Sequence, residues 1–236
     1  MPAETGEFLP SDLNAWARYA LAPSGQRPAR HHLLLLGMLD QVSLGEIDRL
    51  MVLMPPGSAK STYASVLFPA WWFVRHPRSS VIAASHTADL ATHFGRQVRA
   101  LVTEHSGVLG YRLDAGNRAA ARWQTSACGE YFATGVRGPL AGRRADLAII
   151  DDPIKSFGDA ESAVQRERLW DWYRSDLTTR LKPRARVVLI MTRWHEEDLA
   201  GRLLAGDGAE WRTIRLPALA EANDPLSRLE GEPLWP

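Results

Sequence analysis

A lysine and two hydroxyl residues follow a short loop of small residues in the first third of this chain. Residues 54–62 have the sequence MPPGSAKST and come directly after the apolar residues 50–53. A strand that ends in such a turn, before a helix that begins with Lys-Ser, is typical of triphosphate-binding loops, because backbone N–H groups and the helix N-terminus attract phosphate oxygens. The predicted nucleotide-binding residues are Pro56, Gly57, Ser58, Ala59, Lys60, Ser61 and Thr62.

Two of these residues have predicted chemical roles. We expect the amine of Lys60 to contact the β- and γ-phosphate oxygens and the hydroxyl of Ser61 to ligate Mg²⁺. The loop departs from the usual pattern G-x-x-x-x-G-K-[ST], since Met54 and Ala59 occupy its glycine positions. Because a Cβ disfavours the left-handed region, we expect a negative φ at Ala59. An ordinary strand-turn-helix is the alternative interpretation.

Two acidic residues, Asp151 and Asp152, follow a second apolar run at residues 147–150. Asp151 is predicted to hold Mg²⁺, usually through water, because this small ion prefers oxygen ligands. Asp152 is predicted to orient and polarise the water that attacks the γ-phosphorus. The alternative is a pair of turn acids before Pro153.

Thr192 ends a third apolar run, where its hydroxyl could contact the γ-phosphate or the attacking water. The next residues include two acids, Glu196 and Glu197, which we interpret as favourable charge in a first helical turn. His195 lies beside them, but the H-E-x-x-H spacing of a zinc site does not occur.

Three arginines, Arg137, Arg143 and Arg144, lie in a glycine-containing stretch before the acid pair. A guanidinium in such a loop could act as an arginine finger that neutralises charge on the γ-phosphoryl group. The alternative is that these side chains face solvent or a DNA backbone. Arg143 and Arg144 are the predicted candidates.

Alternating strands and helices have to position these residues. The predicted strands are residues 50–54, 79–85, 146–150, 186–191 and 211–216, with a hairpin at 122–134 that turns near Cys128 and Gly129; the predicted helices are 12–20, 31–44, 61–74, 87–103, 161–181 and 196–204. This alternation predicts an α/β fold with a mainly parallel central sheet flanked by helices on both faces. Ligands bind beyond the carboxyl ends of such strands, where each polar motif falls.

Bulk properties exclude several classes of protein. The 236 residues, 45% hydrophobic and 23% charged, are ordinary for a globular domain. A net charge of +1 predicts no global basic field, so any DNA contact has to be local. The single cysteine, Cys128, excludes an internal disulfide. With no apolar run near about 20 residues and no signal-peptide pattern, we expect a soluble intracellular chain without a membrane partner.

Three segments together resemble the ATPase domain of phage or prophage terminase large subunits. They are residues 54–62, residues 142–154 (GRRADLAIIDDPI) and residues 191–203 (MTRWHEEDLAGRL). The resemblance covers about residues 31–236, and the third segment is its most specific part. It implies an ASCE-type P-loop NTPase fold and an ATP-hydrolysing motor that translocates viral double-stranded DNA into a procapsid.

The resemblance also implies roles for individual residues. By motif, Lys60 and Ser61 match the phosphate and Mg²⁺ positions, Asp151 matches the metal carboxylate, Asp152 the catalytic acid and Thr192 the coupling motif. ATP and Mg²⁺ are the implied cofactors.

The chain departs from the family pattern at two positions. Asp152 stands where the wider class has Glu, so the attacking water has to lie closer to the chain. Gly57 stands where related loops often carry Arg, so the resemblance leaves Arg143, Arg144 or a neighbouring subunit to supply the finger.

The resemblance implies domain boundaries and partners. Residues 1–30 are predicted as a leader, 31–216 as the ATPase domain and 217–236 as a linker toward a nuclease domain that the chain lacks. The implied partners are double-stranded DNA, a portal protein, a small terminase subunit and further copies in a homo-oligomeric ring, with a monomer possible in isolation. The implied location is the host-cell cytoplasm.

Three other functions remain open from the sequence. A helicase-like or other nucleic-acid-dependent P-loop ATPase is disfavoured because later helicase motifs do not follow. A metal-dependent nuclease built on Asp151 and Asp152 is disfavoured because the sequence offers no clear third strand-end carboxylate. Ala59 makes a non-catalytic nucleotide-binding module with a degenerate loop the third alternative.

Overall fold

One sheet of eight strands forms the centre of the computed structural model, which describes residues 10–206 and 208–235. The strands are β1 (Arg49–Leu53), β2 (Ser80–Ser85), β3 (Leu113–Arg118), β4 (Arg122–Thr125), β5 (Glu130–Gly135), β6 (Ala145–Asp151), β7 (Leu181–Met191) and β8 (Arg212–Arg215). Their order across the sheet is β3-β4-β5-β2-β6-β7-β1-β8.

The sheet is mainly parallel, as the sequence predicts. Parallel ladders join β5, β2, β6, β7, β1 and β8, whereas β3 and β4 extend one edge as antiparallel strands. β7 lies between β1 and β6. The loop after β1 and the acids after β6 therefore flank the carboxyl end of β7.

Helices cover both faces of the sheet. They are α1 (Leu13–Leu21), α2 (Arg30–Leu44), α3 (Phe68–Arg75), α4 (Ala88–Glu104), α5 (Ser106–Leu109), α6 (Phe157–Glu161), α7 (Ala163–Asp171) and α8 (Leu199–Gly206). There are also two π-helical segments: Thr62–Leu67 directly precedes α3, and Trp172–Leu177 directly follows α7. Residues 60–61, the first π segment and α3 together form one continuous helix, the phosphate-loop helix.

The buried parallel strands divide their side chains between two cores. In β1, Leu50 and Val52 pack in the core formed with α1 to α4, while Met51 and Leu53 pack in the core formed with α7, the second π segment and α8. Successive strand residues point to opposite faces, so both sets have to be apolar when both faces are covered. This is why β1 reads as a continuous apolar run.

Helix α1 lies within the segment predicted as a leader, and it contributes to the first core. Asp12 caps the helix by accepting a hydrogen bond from Ala15 N, at 2.8 Å. Leu13 and Trp16 are buried, and Trp16 Nε1 donates to Leu67 O at 3.1 Å. This bond ties α1 to the phosphate-loop helix. Residues 1–9 of the predicted leader lie outside the described residues.

The described part of the predicted linker, residues 217–235, folds back onto the body of the protein. A buried ion pair joins Arg228 to Asp224 at 2.6 Å, and Arg228 Nη2 also donates to Pro217 O at 3.0 Å. Leu234 packs in the first core. Gly57 is adjacent to this segment, since a Cβ at Gly57 would lie 3.8 Å from the Trp235 ring.

Several predicted element boundaries were wrong, among them the start of α8, which is Leu199 rather than residue 196. The long helix predicted for residues 161–181 breaks at Ser162, and its second part widens into the π segment Trp172–Leu177. β7 begins at Leu181 rather than at residue 186. Trp172 and Tyr173, the first two residues of this segment, are both buried.

Strand β3 was missed because its sequence, LDAGNR, has few residues that favour strands. The hairpin turn near Cys128 is confirmed, since Cys128 N donates to Thr125 O at 2.9 Å.

Candidate active site

The loop between β1 and the phosphate-loop helix contains two residues in the left-handed region. Gly57 has a φ of 77° and Ala59 a φ of 56°. The expectation of a negative φ at Ala59 was wrong, because the chain reverses there into the helix. The Ala59 carbonyl accepts hydrogen bonds from Thr62 N at 3.0 Å and Tyr63 N at 3.4 Å. A left-handed alanine costs roughly 1–2 kcal/mol, so the loop holds a strained backbone.

Lys60 extends from the first residue of this helix toward the ends of β6 and β7. It is 5% exposed, and its Nζ lies 2.9 Å from Asp152 Oδ2 and 3.3 Å from Thr192 Oγ1. The amine therefore lies at the carboxyl edge of the sheet, where a charged oxygen is its present partner. Phosphate oxygens offer the same kind of partner.

Asp151 ends β6 and is 2% exposed. Its Oδ1 accepts a hydrogen bond from Ser61 Oγ at 3.0 Å, and its Oδ2 accepts one from Ser65 Oγ at 2.5 Å. Burial and, secondly, the charge of Asp152 raise the pKa of Asp151 to about 6, although the two serine hydroxyls and Lys60 oppose the shift.

Asp152 is more accessible than its neighbour, with a side chain 32% exposed. Its backbone adopts a φ of 42°, a conformation that Asp and Asn reach more readily than other non-glycine residues. The conformation explains why the shorter acid suits this position. Asp152 Oδ1 accepts a hydrogen bond from Thr192 N at 3.0 Å, which fixes the carboxylate beside solvent.

Thr192 connects the three strand ends. Its hydroxyl donates to Met54 O at 3.1 Å and accepts a hydrogen bond from Lys60, while its N–H contacts Asp152. The structure thus brings together five predicted site residues on adjoining elements, namely Lys60, Ser61, Asp151, Asp152 and Thr192.

The oxygen atoms present suit Mg²⁺. Ser61 Oγ and Asp151 Oδ1 are 3.0 Å apart, about the spacing of adjacent ligands in an octahedron with bonds near 2.1 Å. No group of three or more His, Cys, Asp or Glu side chains in the described part of the chain could hold a metal.

The loop itself also suits a phosphate ligand. Ser58 Oγ is buried, and within the described residues it has no hydrogen-bond partner. A buried hydroxyl without a partner is costly unless a ligand satisfies it.

Two histidines also contact the site: His86 directly follows β2, at a strand end where a polar motif was expected, whereas His32 was not predicted as a site residue. His32 Nδ1 accepts a hydrogen bond from Ala29 N at 3.0 Å, so its Nε2 carries the proton and donates to Ser58 O at 2.9 Å. Its ring stacks on Tyr63 with centroids 4.1 Å apart, and burial lowers its pKa. His86 Nδ1 lies 3.2 Å from Asp152 O. Both contacts are to backbone oxygens, which no sequence motif signals.

The structure does not bring Arg143 and Arg144 to the site of their own chain. They precede β6, whereas Asp151 ends it, and the six steps from Ala145 to Asp151 span about 20 Å. The Arg143 guanidinium lies 4.6 Å above the Phe132 ring.

Arg137 lies at the other end of the sheet, on the same edge as the acid pair. It follows Gly135, which pairs with Ser85, and Ser85 in turn pairs with Asp151. Arg137 Nη1 donates to Gln165 Oε1 at 3.3 Å. Of the three arginines considered from the sequence, Arg137 is the one on the edge that carries the site.

The residues after Thr192 form a compact turn around a buried acid. Asp198 accepts hydrogen bonds from Arg193 Nε at 2.8 Å and from Gly201 N at 2.9 Å, so Asp198 caps α8. Glu196 and Glu197 precede the helix, and their interpretation as first-turn charge was wrong. Glu197 instead pairs with Arg166 at 3.3 Å.

Across residues 10–206 and 208–235, every helix is too short or too polar to cross a bilayer.

Comparison with known proteins gives a family and a fold. A family model described as terminase large subunit, T4likevirus-type, N-terminal, matches residues 51–236, well over half of the chain. No curated protein matches this chain in sequence.

Two solved structures are similar to this chain. The large terminase of bacteriophage HK97 superimposes with a TM-score of 0.62 and 11% identity, over 92% of this chain and 45% of that one. The large terminase of a thermophilic bacteriophage, in complex with ADP, gives a TM-score of 0.40 and 10% identity, over 73% of this chain and 41% of that one. The first match supports the α/β fold. The chain spans less than half the length of either protein.

Proposed function

The chain belongs to the terminase large-subunit family of the T4likevirus N-terminal type, and we propose that it is an ATP-hydrolysing motor domain that powers translocation of viral double-stranded DNA into a procapsid. One observation carries the enzymatic part of this proposal. Lys60 and Ser61 start the helix after β1, and they contact the adjacent carboxylates Asp152 and Asp151 at 2.9 Å and 3.0 Å. A phosphate-binding lysine, a metal-binding hydroxyl and two acids thus converge at one edge of the sheet.

Each residue has a role in this proposal. The loop N–H groups and Lys60 bind the β- and γ-phosphates of ATP, so phosphate oxygens replace Asp152 as the partner of the amine. Ser61 and Asp151 hold Mg²⁺, which supplies neutralisation of phosphate charge. Asp152, released from Lys60, orients a water molecule.

The chemical step is hydrolysis of the terminal phosphoanhydride. The water oxygen bonds to the γ-phosphorus, the bond to the bridging oxygen breaks, and ADP leaves with that oxygen. Asp152 accepts the proton of the water. The Thr192 N–H holds the carboxylate in place at 3.0 Å, so movement of β7 and movement of Asp152 are coupled.

The partners belong to the same proposal. Double-stranded DNA, a portal protein, a small terminase subunit and a ring of identical chains are what a packaging motor of this family requires, in the host-cell cytoplasm. A metal-dependent nuclease is less well supported, since no third metal-binding carboxylate accompanies Asp151 and Asp152 among the described residues.

Two variants separate nucleotide binding from hydrolysis. We expect Lys60→Ala to lose ATP·Mg²⁺ binding in isothermal titration, because the main charge partner of the phosphates is gone. Asp152→Asn should bind within about threefold of wild type and lose at least about 100-fold in phosphate release, the size of a general-base contribution.

Lys182→Ala is the matched control, since it breaks a lysine–aspartate pair of 2.7 Å at the far end of the sheet. This variant should bind and hydrolyse ATP as wild type does. Equal ATP affinity in Lys60→Ala, or near-normal turnover in Asp152→Asn, would refute the assigned roles.

A further inference from the structure

A second serine contacts the metal-binding carboxylate from inside the phosphate-loop helix. Ser65 lies four residues beyond Ser61, which is about one helical turn, so both hydroxyls face Asp151. Ser65 is 2% exposed, and its hydroxyl donates to Asp151 Oδ2 at 2.5 Å while Ser61 donates to Oδ1 at 3.0 Å. Each oxygen of one buried carboxylate therefore has its own serine donor.

The two serines differ in whether their hydroxyl oxygen could ligate a metal ion. Ser61 follows the loop that binds phosphate, and its oxygen is a ligand candidate for Mg²⁺. Asp151 Oδ1 lies 3.0 Å from that oxygen, the spacing of two adjacent ligands, so we take Oδ1 as a direct ligand rather than one that binds through water. Ser65 lies deeper, within the π segment Thr62–Leu67. Its bond to Oδ2 can persist when Oδ1 turns to a cation.

A carboxylate with one oxygen held in this way presents a single oxygen to a metal. Mg²⁺ accepts that arrangement, because it requires near-ideal octahedral geometry with short bonds. Ca²⁺ takes longer bonds and six to eight ligands, and it often uses both oxygens of one carboxylate. Restricting Asp151 to one oxygen therefore favours Mg²⁺ over Ca²⁺.

We propose that Ser65 is a positioning residue that sets the cation preference of the site by holding Asp151 Oδ2. The inference rests on the proposed nucleotide site. It predicts that removal of the Ser65 hydroxyl frees Oδ2, weakens the response to Mg²⁺ and improves the relative response to Ca²⁺.

The experiment measures binding of a fluorescent, non-hydrolysable ATP analogue to the full chain while Mg²⁺ or Ca²⁺ is titrated. A hydrogen bond to a charged group corresponds to about tenfold in an equilibrium constant. We therefore expect Ser65→Ala to raise the half-saturating Mg²⁺ concentration about tenfold and to shift the Mg²⁺-to-Ca²⁺ preference at least about fivefold toward Ca²⁺.

Three further variants sharpen the test. Ser65→Cys has nearly the same shape but a weak donor, so it should shift the preference as Ser65→Ala does, including where the alanine variant does not fold. Ser65→Thr keeps the hydroxyl and should keep the wild-type preference. Ser43→Ala is the matched control, because Ser43 is also buried and donates to an aspartate, Asp40, but on α2.

The outcomes distinguish this inference from the proposed function. An unchanged cation preference in both Ser65→Ala and Ser65→Cys overturns it, as does an equal shift in Ser65→Thr. If wild-type protein binds the analogue with no dependence on either cation, the proposed metal–nucleotide site itself is wrong.

Discussion

Asp151 is the residue at which function and stability oppose each other most clearly. Its carboxylate is buried beside a second carboxylate, and its pKa is raised to about 6 from an ordinary 3.8. Burial of a charge without a cation is unfavourable, so the site is costly until a metal neutralises it. A residue that serves the ligand in this way should destabilise the ligand-free protein.

The first prediction concerns the pH dependence of that cost. The folded state holds a proton on Asp151 more tightly than the unfolded state does, so the contribution of Asp151 to stability falls as pH rises from about 4 to about 6. Asp151→Asn removes this pH-dependent loss of stability, because asparagine does not ionise. In metal-free buffer the variant should exceed wild type in unfolding free energy by up to about 3 kcal/mol above pH 6.5, and by much less near pH 4.

Urea denaturation of both proteins between pH 4 and pH 8 measures the difference. A difference that stays constant over this range would show that the carboxylate does not titrate near pH 6 in the folded protein.

Residue type and position allowed Lys60, Ser61, Asp151, Asp152 and Thr192 to be predicted as site residues, because each lies at the end of an apolar strand or beyond the short loop that follows one. The structure brings these five together. Ser65 and His32 could not be found in this way. Ser65 lies inside a helix and His32 contacts a backbone oxygen, so their positions depend on packing between elements that are distant in sequence.

At the scale of elements, the phosphate loop contains one non-glycine residue, Ala59, in the left-handed region of backbone conformation. Ala59 has a φ of 56° where the common pattern has glycine. A Cβ in this conformation costs about 1–2 kcal/mol, whereas a glycine costs about 0.4–1 kcal/mol through the entropy of the unfolded chain. The cost of the left-handed alanine is therefore larger than the entropic cost of a glycine at this position.

The second prediction follows from that comparison. Ala59→Gly should raise the unfolding free energy by about 0.5 kcal/mol, and Ala59→Val should lower it by at least about 1 kcal/mol, because β-branched residues rarely adopt this region. Chemical denaturation measures both. At Ala100, an exposed residue inside α4, Ala→Gly should have the opposite sign. Equal effects of glycine at the two positions would contradict a strained loop.

The elements that were predicted well are those that an uninterrupted apolar run specifies. The buried strands β1, β2 and β6 were found to within two residues at each end, because apolar runs between turn residues specify them. The elements around Trp172 were predicted poorly. Ser162 interrupts the helix by capping α7 through Gln165 N, and the sequence WYRSDL gives no sign of the wider turn that follows.

At the scale of the whole molecule, the sheet separates the catalytic acids from two arginines. Asp151 lies at the carboxyl end of β6, and Arg143 and Arg144 directly precede its amino end. The two ends of the strand are about 20 Å apart. An arginine finger at the γ-phosphate contributes a factor of about 10³–10⁵ to turnover. If either residue has this role, it acts on the nucleotide of a neighbouring chain.

The third prediction is that two inactive variants complement each other. Lys60→Ala lacks a competent nucleotide site but keeps its arginines, and a chain with Arg143→Ala and Arg144→Ala keeps the site but lacks them. Each alone should hydrolyse ATP slowly. Mixed in equal amounts at a concentration that supports assembly, they should exceed the sum of their separate rates, because the first chain supplies arginines to the second.

Dilution provides the control for this mixture, since the gain has to disappear when chains separate, and wild-type turnover per chain has to fall with it. Phosphate release measured over a range of protein concentrations tests both. Turnover per chain that is independent of concentration would mean that every catalytic group is supplied within one chain. Arg137 would then be the arginine to replace next, because it lies on the edge that carries Asp151.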